Sequence, residues 1–188
     1  MTKIRIVALM FSLAVLTNGC ATFIAPSYAP DYSVLDSLKR QKVSKVASVT
    51  VEPKDPNEKV NNITLRGATL ASPSGSYAKY LEDAIKSDLI DANLIDSNSL
   101  FKLSAFLLTN DINVAGFDTG NGNIEAQFSI YRNGTAIFDK KISTEIEFES
   151  SFFGNVAVLK GQNEYQNLVR ALLKKLYSDK EFINALQN

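Results

Sequence analysis

The stretch that decides the fold is IEAQFSIYRNGTAIFDKKISTEIEFES, Ile124 to Ser150. Its first eight residues alternate, with Ile124, Ala126, Phe128 and Ile130 on one face and Glu125, Gln127 and Ser129 on the other, the pattern of a half-buried strand. Asn133-Gly134 follows, the strongest two-residue hairpin signal, because both positions tolerate the left-handed backbone that a tight hairpin turn demands. Beyond the turn the alternation resumes, placing Ile142, Thr144, Ile146 and Phe148 on one side and Lys141, Ser143, Glu145 and Glu147 on the other. Two paired strands with one apolar and one polar face predict an antiparallel sheet covered on one side only.

The cover is legible on both flanks. From Ser74 to Ile95 the residues Tyr77, Leu81, Ala84, Ile85, Leu89 and Ala92 recur at helical spacing behind a serine able to cap, either Ser74 or Ser76. From Asn163 to Tyr177 a second stripe, Tyr165, Leu168, Val169, Leu172 and Leu176, marks an amphipathic helix, and Phe182, Ile183 and Leu186 predict one last turn or two. VASVTVEP (46–53) reads as a first strand stopped by proline, ITLRGATLASP (63–73) as a weaker one and LFKLSAFLL (100–108) as another. KDPNEKVNN (54–62) and the Gly- and Asn-rich NDINVAGFDTGNGN (110–123) read as loops. The order predicts an α+β fold, a mostly antiparallel sheet of about four strands with two main helices packed on one face.

The N-terminus predicts export. Lys3 and Arg5 precede an apolar run from Ile6 to Leu16, the size of a signal-peptide core and too short to span a bilayer. Gly19, small enough for a signal peptidase, stands before Cys20, the one cysteine among 188 residues. A single thiol in an exported chain either carries a modification or remains free to pair with another molecule. The expected division is a signal peptide over 1–19, a flexible tether over 20–45 with a helical turn near Leu35 to Arg40, and a single globular domain over 46–188. The prolines and scattered polar residues after Ala21 suggest the tether.

Composition narrows the chemistry. Acidic and basic residues are matched at 20 each, so no basic stripe exists to track a nucleic-acid backbone. The chain has no histidine, which excludes Ser-His and Cys-His catalysis and the usual nitrogen-ligated zinc sites. Carboxylate chemistry, a Ser-Lys pair or an oxygen-ligated cation remain, and no cofactor is expected. Ser76-Tyr-Ala-Lys79 matches the Ser-x-x-Lys element of penicillin-interacting enzymes, but its companion Lys-Thr-Gly is missing, and Ser76 is better explained as a helix cap. Glu145, Glu147 and Glu149 share a strand face at nearly 7 Å spacing, which a solvated face explains without catalysis. Phe152 and Phe153, adjacent in SSFFG, leave two alternatives: one is exposed and marks a contact surface, or the chain turns and both pack under the last helix.

Leu16, Gly19 and Cys20 resemble the bacterial lipobox, in which the cysteine becomes an acylated N-terminus, although Leu16 stands four residues before Cys20 instead of three. The resemblance implies lipidation of Cys20 after cleavage between Gly19 and Cys20, and Ala21 at the sorting position implies the outer membrane. The helix YLEDAIKSDLIDANL (80–94), the pair IEAQFSIYRNGTAIFDKKI (124–142), SSFFG (150–154) and the ending EYQNLVRALLKKLYSDKEFINAL (164–186) resemble small outer-membrane lipoproteins of the YajG-like type. More loosely, they resemble the auxiliary lipoproteins of envelope lipid-transport systems. What this implies is a non-enzymatic domain on the periplasmic face, bound to the membrane through Cys20 and acting on another envelope component. The alternative it implies is a lipid-binding auxiliary subunit holding acyl chains between helices and sheet.

Overall fold

The computed structural model describes residues 21–54 and 59–187. Gly19, Cys20 and the signal peptide lie outside the described residues.

The deciding hairpin forms as its alternation predicts. Strand β6 (Thr119–Arg132) pairs antiparallel with β7 (Thr135–Glu149), setting Ala126 opposite Ile142 and Ile130 opposite Phe138. Asn133 and Gly134 take φ of +50° and +83°, the left-handed pair that lets a two-residue turn follow the twist of the strands. Strands β2 (Ser48–Pro53) and β5 (Phe101–Asn113) complete a sheet of order β2-β5-β6-β7. The expectation of a mostly antiparallel sheet needs correction at one edge, because β2 runs parallel to β5. A parallel neighbour requires a crossover, and the 47 residues between Pro53 and Phe101 supply it.

That crossover holds a second, unexpected sheet. ITLRGATLASP is not one strand but a hairpin, β3 (Ile63–Leu65) and β4 (Ala68–Ala71), turning at Arg66 and Gly67 with φ of +49° and +86°. On the other side of β4 lies β1 (Thr22–Ile24), parallel to it, giving the order β1-β4-β3. The expected tether is therefore corrected for its described part: β1 is a paired strand, and helix α1 (Tyr32–Arg40) follows, capped by the Asp31 side chain on the Ser33 amide. Ala25, Leu35, Leu38 and Val43 are buried in the common core. Polar spacing hid this, because the chain between β1 and α1 is held by long-range hydrogen bonds. The Tyr80 hydroxyl donates to the Pro26 carbonyl at 2.8 Å, and Tyr28 donates to Asp88 at 2.9 Å.

Helix α2 (Tyr77–Asp91) starts where Ser76 accepts from the Lys79 amide at 3.1 Å and buries the predicted stripe against β2. Helix α3 (Gly154–Ser178) is longer than its predicted core, beginning nine residues before Asn163, and packs on β6 and β7. Helix α4 (Lys180–Gln187) follows, making four helices among the described residues, all on or beside the apolar face. The early start of α3 was obscured by Gly161, which reads as a breaker but is a contact device. A methyl group there would meet Val114 at 2.6 Å, and one at Gly122 would meet Ile112 at 2.7 Å, so both glycines let helix and sheet approach closely.

The Gly- and Asn-rich stretch 110–123 is correspondingly not a loop. Strand β5 runs on to Asn113 and β6 starts at Thr119, leaving a short turn between. A register shift between Leu107 and Thr109 explains the misreading. Before it odd-numbered residues face the core (Leu103, Ala105, Leu107), after it even-numbered ones do (Asn110, Ile112), so the period-two pattern breaks at that point.

Candidate functional site

Three connections meet at one end of the molecule: the β3–β4 turn, the β5–β6 turn and the β7–α3 loop. What joins them is the Arg66 side chain. Its Nε donates to the Val114 carbonyl at 2.9 Å, Nη1 to Phe152 at 2.6 Å, and Nη2 to both Gly116 and Ser151 at 2.9 Å. A guanidinium offers five N–H donors in a rigid planar fork, so one residue fastens two loops from distant parts of the chain. The Ser150 amide donates to the Asp118 carbonyl, which ties the same two loops directly.

The loops so held present three phenyl rings to solvent. Phe117 is 74% exposed, Phe152 64% and Phe153 68%. Phe117 stacks on Phe152 with ring centroids 5.4 Å apart, and Phe153 meets Phe152 edge-on at 6.0 Å. The alternative that both SSFFG phenylalanines pack under the last helix is thus corrected. The loop turns away from the sheet just before α3 begins, and Phe153 occupies the position ahead of the helix's first turn. Isolated exposed apolar residues are ordinary, but a contiguous aromatic cluster is less so and makes this end the candidate for a contact surface. Phe117 and Arg66 were not singled out from sequence. The available signal was Arg66-Gly67 between alternating apolar residues, which is weaker than Asn-Gly because arginine seldom adopts positive φ.

The first described residues begin at this same end. The Thr69 amide donates to the Ala21 carbonyl at 2.9 Å, and Thr22 stands opposite Thr69 in register. Because β1 runs parallel to β4, and β4 leads away from the Arg66-Gly67 turn, the N-terminal end of β1 is the end nearer that turn and its aromatic rings.

The other candidates are placed elsewhere. Ser76 serves as the cap of α2, while Lys79 Nζ lies 2.8 Å from Glu82 and 2.7 Å from Asp83. Glu145, Glu147 and Glu149 lie on the outer, solvated side of β7. Asp88 is a buried carboxylate whose pKa burial pushes up to about 6, against the lowering effect of its hydrogen bond from Tyr28. Such a group is a catalytic candidate in principle. Tyr28, Tyr177, Leu35 and Leu173 close around it without room for a substrate, so its evident work is to hold the N-terminal segment on α2. An open cleft of about 1040 Å³ runs beside the outer end of β5, walled by Val60, Thr64, Asn110, Ile112 and Val114. Among the described residues no cluster of acidic or sulfur side chains is arranged to hold a metal, and no helix is long and apolar enough to cross a membrane.

No family model matches the chain, and no curated protein matches it. Solved structures do. Protein XCC0632 from Xanthomonas campestris, of the DUF330 family, has 12% sequence identity and a TM-score of 0.52, over 84% of this chain and 95% of its own. At that identity the likeness shows a shared fold. A candidate lipoprotein from Caulobacter crescentus has 12% identity and a TM-score of 0.45 over 81% of this chain and 96% of its own. A minor lipoprotein from Acinetobacter baumannii has 10% identity and a TM-score of 0.38 over 77% and 92%.

Proposed function

We propose that the chain is a bacterial lipoprotein whose acylated Cys20 holds a periplasmic domain on the outer membrane, where it serves as a non-enzymatic accessory factor binding another envelope component. The observation that carries this reading is the position of Ala21. The residue next to the lipobox-like cysteine is already hydrogen-bonded into a sheet of the domain, so an acyl anchor on Cys20 would hold the folded body directly at the bilayer. One acyl chain holds marginally and two or three hold stably, at about 0.8 kcal/mol per buried CH₂. In support of a binding role, Ser76 and Lys79 are engaged in capping and ion pairs, and the outer face of the four-stranded sheet, with Thr50, Lys102, Phe106 and Tyr131, carries no helix among the described residues and offers a broad docking surface.

The second reading, a lipid-binding auxiliary subunit of an envelope transporter, draws on the cleft beside β5. The space between helices and sheet expected for acyl chains is filled by Phe128, Tyr165, Leu168 and Leu172, all fully buried, so a bound lipid would occupy the open cleft instead.

The test is a mild-detergent pull-down of the tagged full-length protein from intact envelopes, beside Cys20→Ser, with proteins and lipids identified by mass spectrometry. A defined protein partner lost with the cysteine supports the accessory reading. Phospholipid recovered without a protein partner favours the second. Turnover of a substrate, abolished by a variant at Lys79 or Glu147, would contradict both.

A further inference from the structure

We propose that Phe117, Phe152 and Phe153 form a second, non-covalent contact with the membrane, seating this end of the domain in the interfacial layer of the bilayer that carries the Cys20 acyl chains. The proposal rests on the lipid-anchor reading above and adds an orientation to it.

The direction of the chain carries the argument. Ala21 is level with the start of β4, two to three residues of strand from Arg66, or about 7–10 Å at strand rise. Cys20 is the preceding residue, within one Cα step of about 3.8 Å of Ala21. No spacer separates an anchor there from the folded body. The aromatic rings hang from loops that the Arg66 guanidinium grips directly. An anchor on Cys20 therefore brings those rings to the bilayer surface, while the Asn133-Gly134 turn stands at the far end of β6, about 40 Å away at strand rise.

The chemistry of the surface fits the same occupant. Bringing loop backbone against a bilayer surface costs least where its polar groups are already paired. The carbonyls of Val114, Gly116, Ser151 and Phe152 are all taken by Arg66, and that of Asp118 by the Ser150 amide. Interfacial contacts use aromatic and aliphatic side chains. Val156 and Leu159, exposed on the first turns of α3, add apolar surface close to this end. Around the rings the acids Asp118 and Glu149 are matched by Arg66 and by Lys160, whose Nζ lies 3.2 Å from Glu149, so no net positive charge draws in anionic headgroups and the lipid committed to is a zwitterionic phospholipid surface.

The chain contains no tryptophan, so a single introduced indole reports its own surroundings. Full-length acylated Phe152→Trp and Ile137→Trp are reconstituted into phosphatidylcholine vesicles with brominated acyl chains, and flotation is scored beside tryptophan emission. Both positions are exposed, so the core is untouched. The expected result is co-flotation of both variants, with Phe152→Trp losing about half its emission or more and Ile137→Trp nearly unquenched, as an interfacial contact at one end requires. Co-flotation with Phe152→Trp unquenched, or with both quenched alike, overturns the membrane contact and leaves the anchor standing. The first of these, joined to site-specific photocrosslinking from position 152 to an envelope protein, reassigns the rings to a protein partner. Acylated Cys20 lacking from the purified protein, with no flotation, overturns both readings together.

Discussion

The two ends of the long β5–β6–β7 sheet are built on opposite principles. At one, Asn133 and Gly134 close the hairpin mainly by their own backbone preferences, with one outside contact, the Asn133 amide donating to the Leu100 carbonyl at 3.3 Å. At the other, the loops carrying Phe117 and Phe152 hold their shape through the guanidinium of Arg66, a residue 86 positions from Phe152 in sequence. An end assembled from three separate segments can present a surface that no single segment specifies.

The difference ranks what mutations should do. The largest effect is expected where both ends share a core: Phe128→Ala, fully buried at the centre of β6, should cost about 3–5 kcal/mol, read as a lowered urea midpoint with unchanged slope. Gly161→Val forces a side chain against Val114 and should cost about 1–3 kcal/mol in the same measurement. Arg66→Ala removes four hydrogen bonds whose carbonyls can partly turn to water, for a loss of about 1–2 kcal/mol. The signature to look for is faster hydrogen exchange at residues 115–118 and 150–153, with the Asn133-Gly134 turn unaltered. Phe152→Ser should leave stability within about 0.5 kcal/mol, since its ring is mostly in solvent. A large loss there would mean that the aromatic end is a folding element and not a presented surface.

Acidity offers a probe at the seam between the N-terminal segment and α2. Asp88 titrates near 6 in the folded protein against 3.8 in an ordinary aspartate. The folded state therefore holds its proton more tightly. The associated stabilisation is complete below the unfolded value and is lost as pH rises through about 6, a difference of at most about 3 kcal/mol. Stability should rise on acidification from pH 7 to 5, and Asp88→Asn should abolish the rise. The neighbours around Asp88 are Tyr28, Tyr177, Asp31, Asp91, Arg170 and Lys174. The groups with lowered values, Glu82, Asp31, Asp139 and Asp179, oppose it only at more acidic pH, where they lose their native partners.

What was legible in sequence follows from the same comparison. The hairpin, the capped helix α2 and the stripe of α3 were readable because period and cap chemistry lie within a dozen residues of each other. Strand β1, the full length and docking of helix α1, of which only a turn near Leu35 to Arg40 was read, and the β3–β4 hairpin were not, because they depend on Tyr28 reaching Asp88, Tyr80 reaching Pro26 and an arginine taking a left-handed turn. The outer ends of β5 and β6 were mistaken for a loop because a bulge shifts the phase and glycine replaces side chains where α3 presses in. At the candidate site, Phe152 and Phe153 could be singled out for being adjacent, while Phe117 and Arg66 acquire meaning only from the fold.

The measurement that tests the account most directly is the intact mass and N-terminal fragment spectrum of the protein purified from bacterial envelopes. The account predicts a mature chain beginning at Cys20 and carrying acyl groups on that residue. A chain that keeps residues 1–19, begins elsewhere, or ends in an unmodified Cys20 thiol would contradict it.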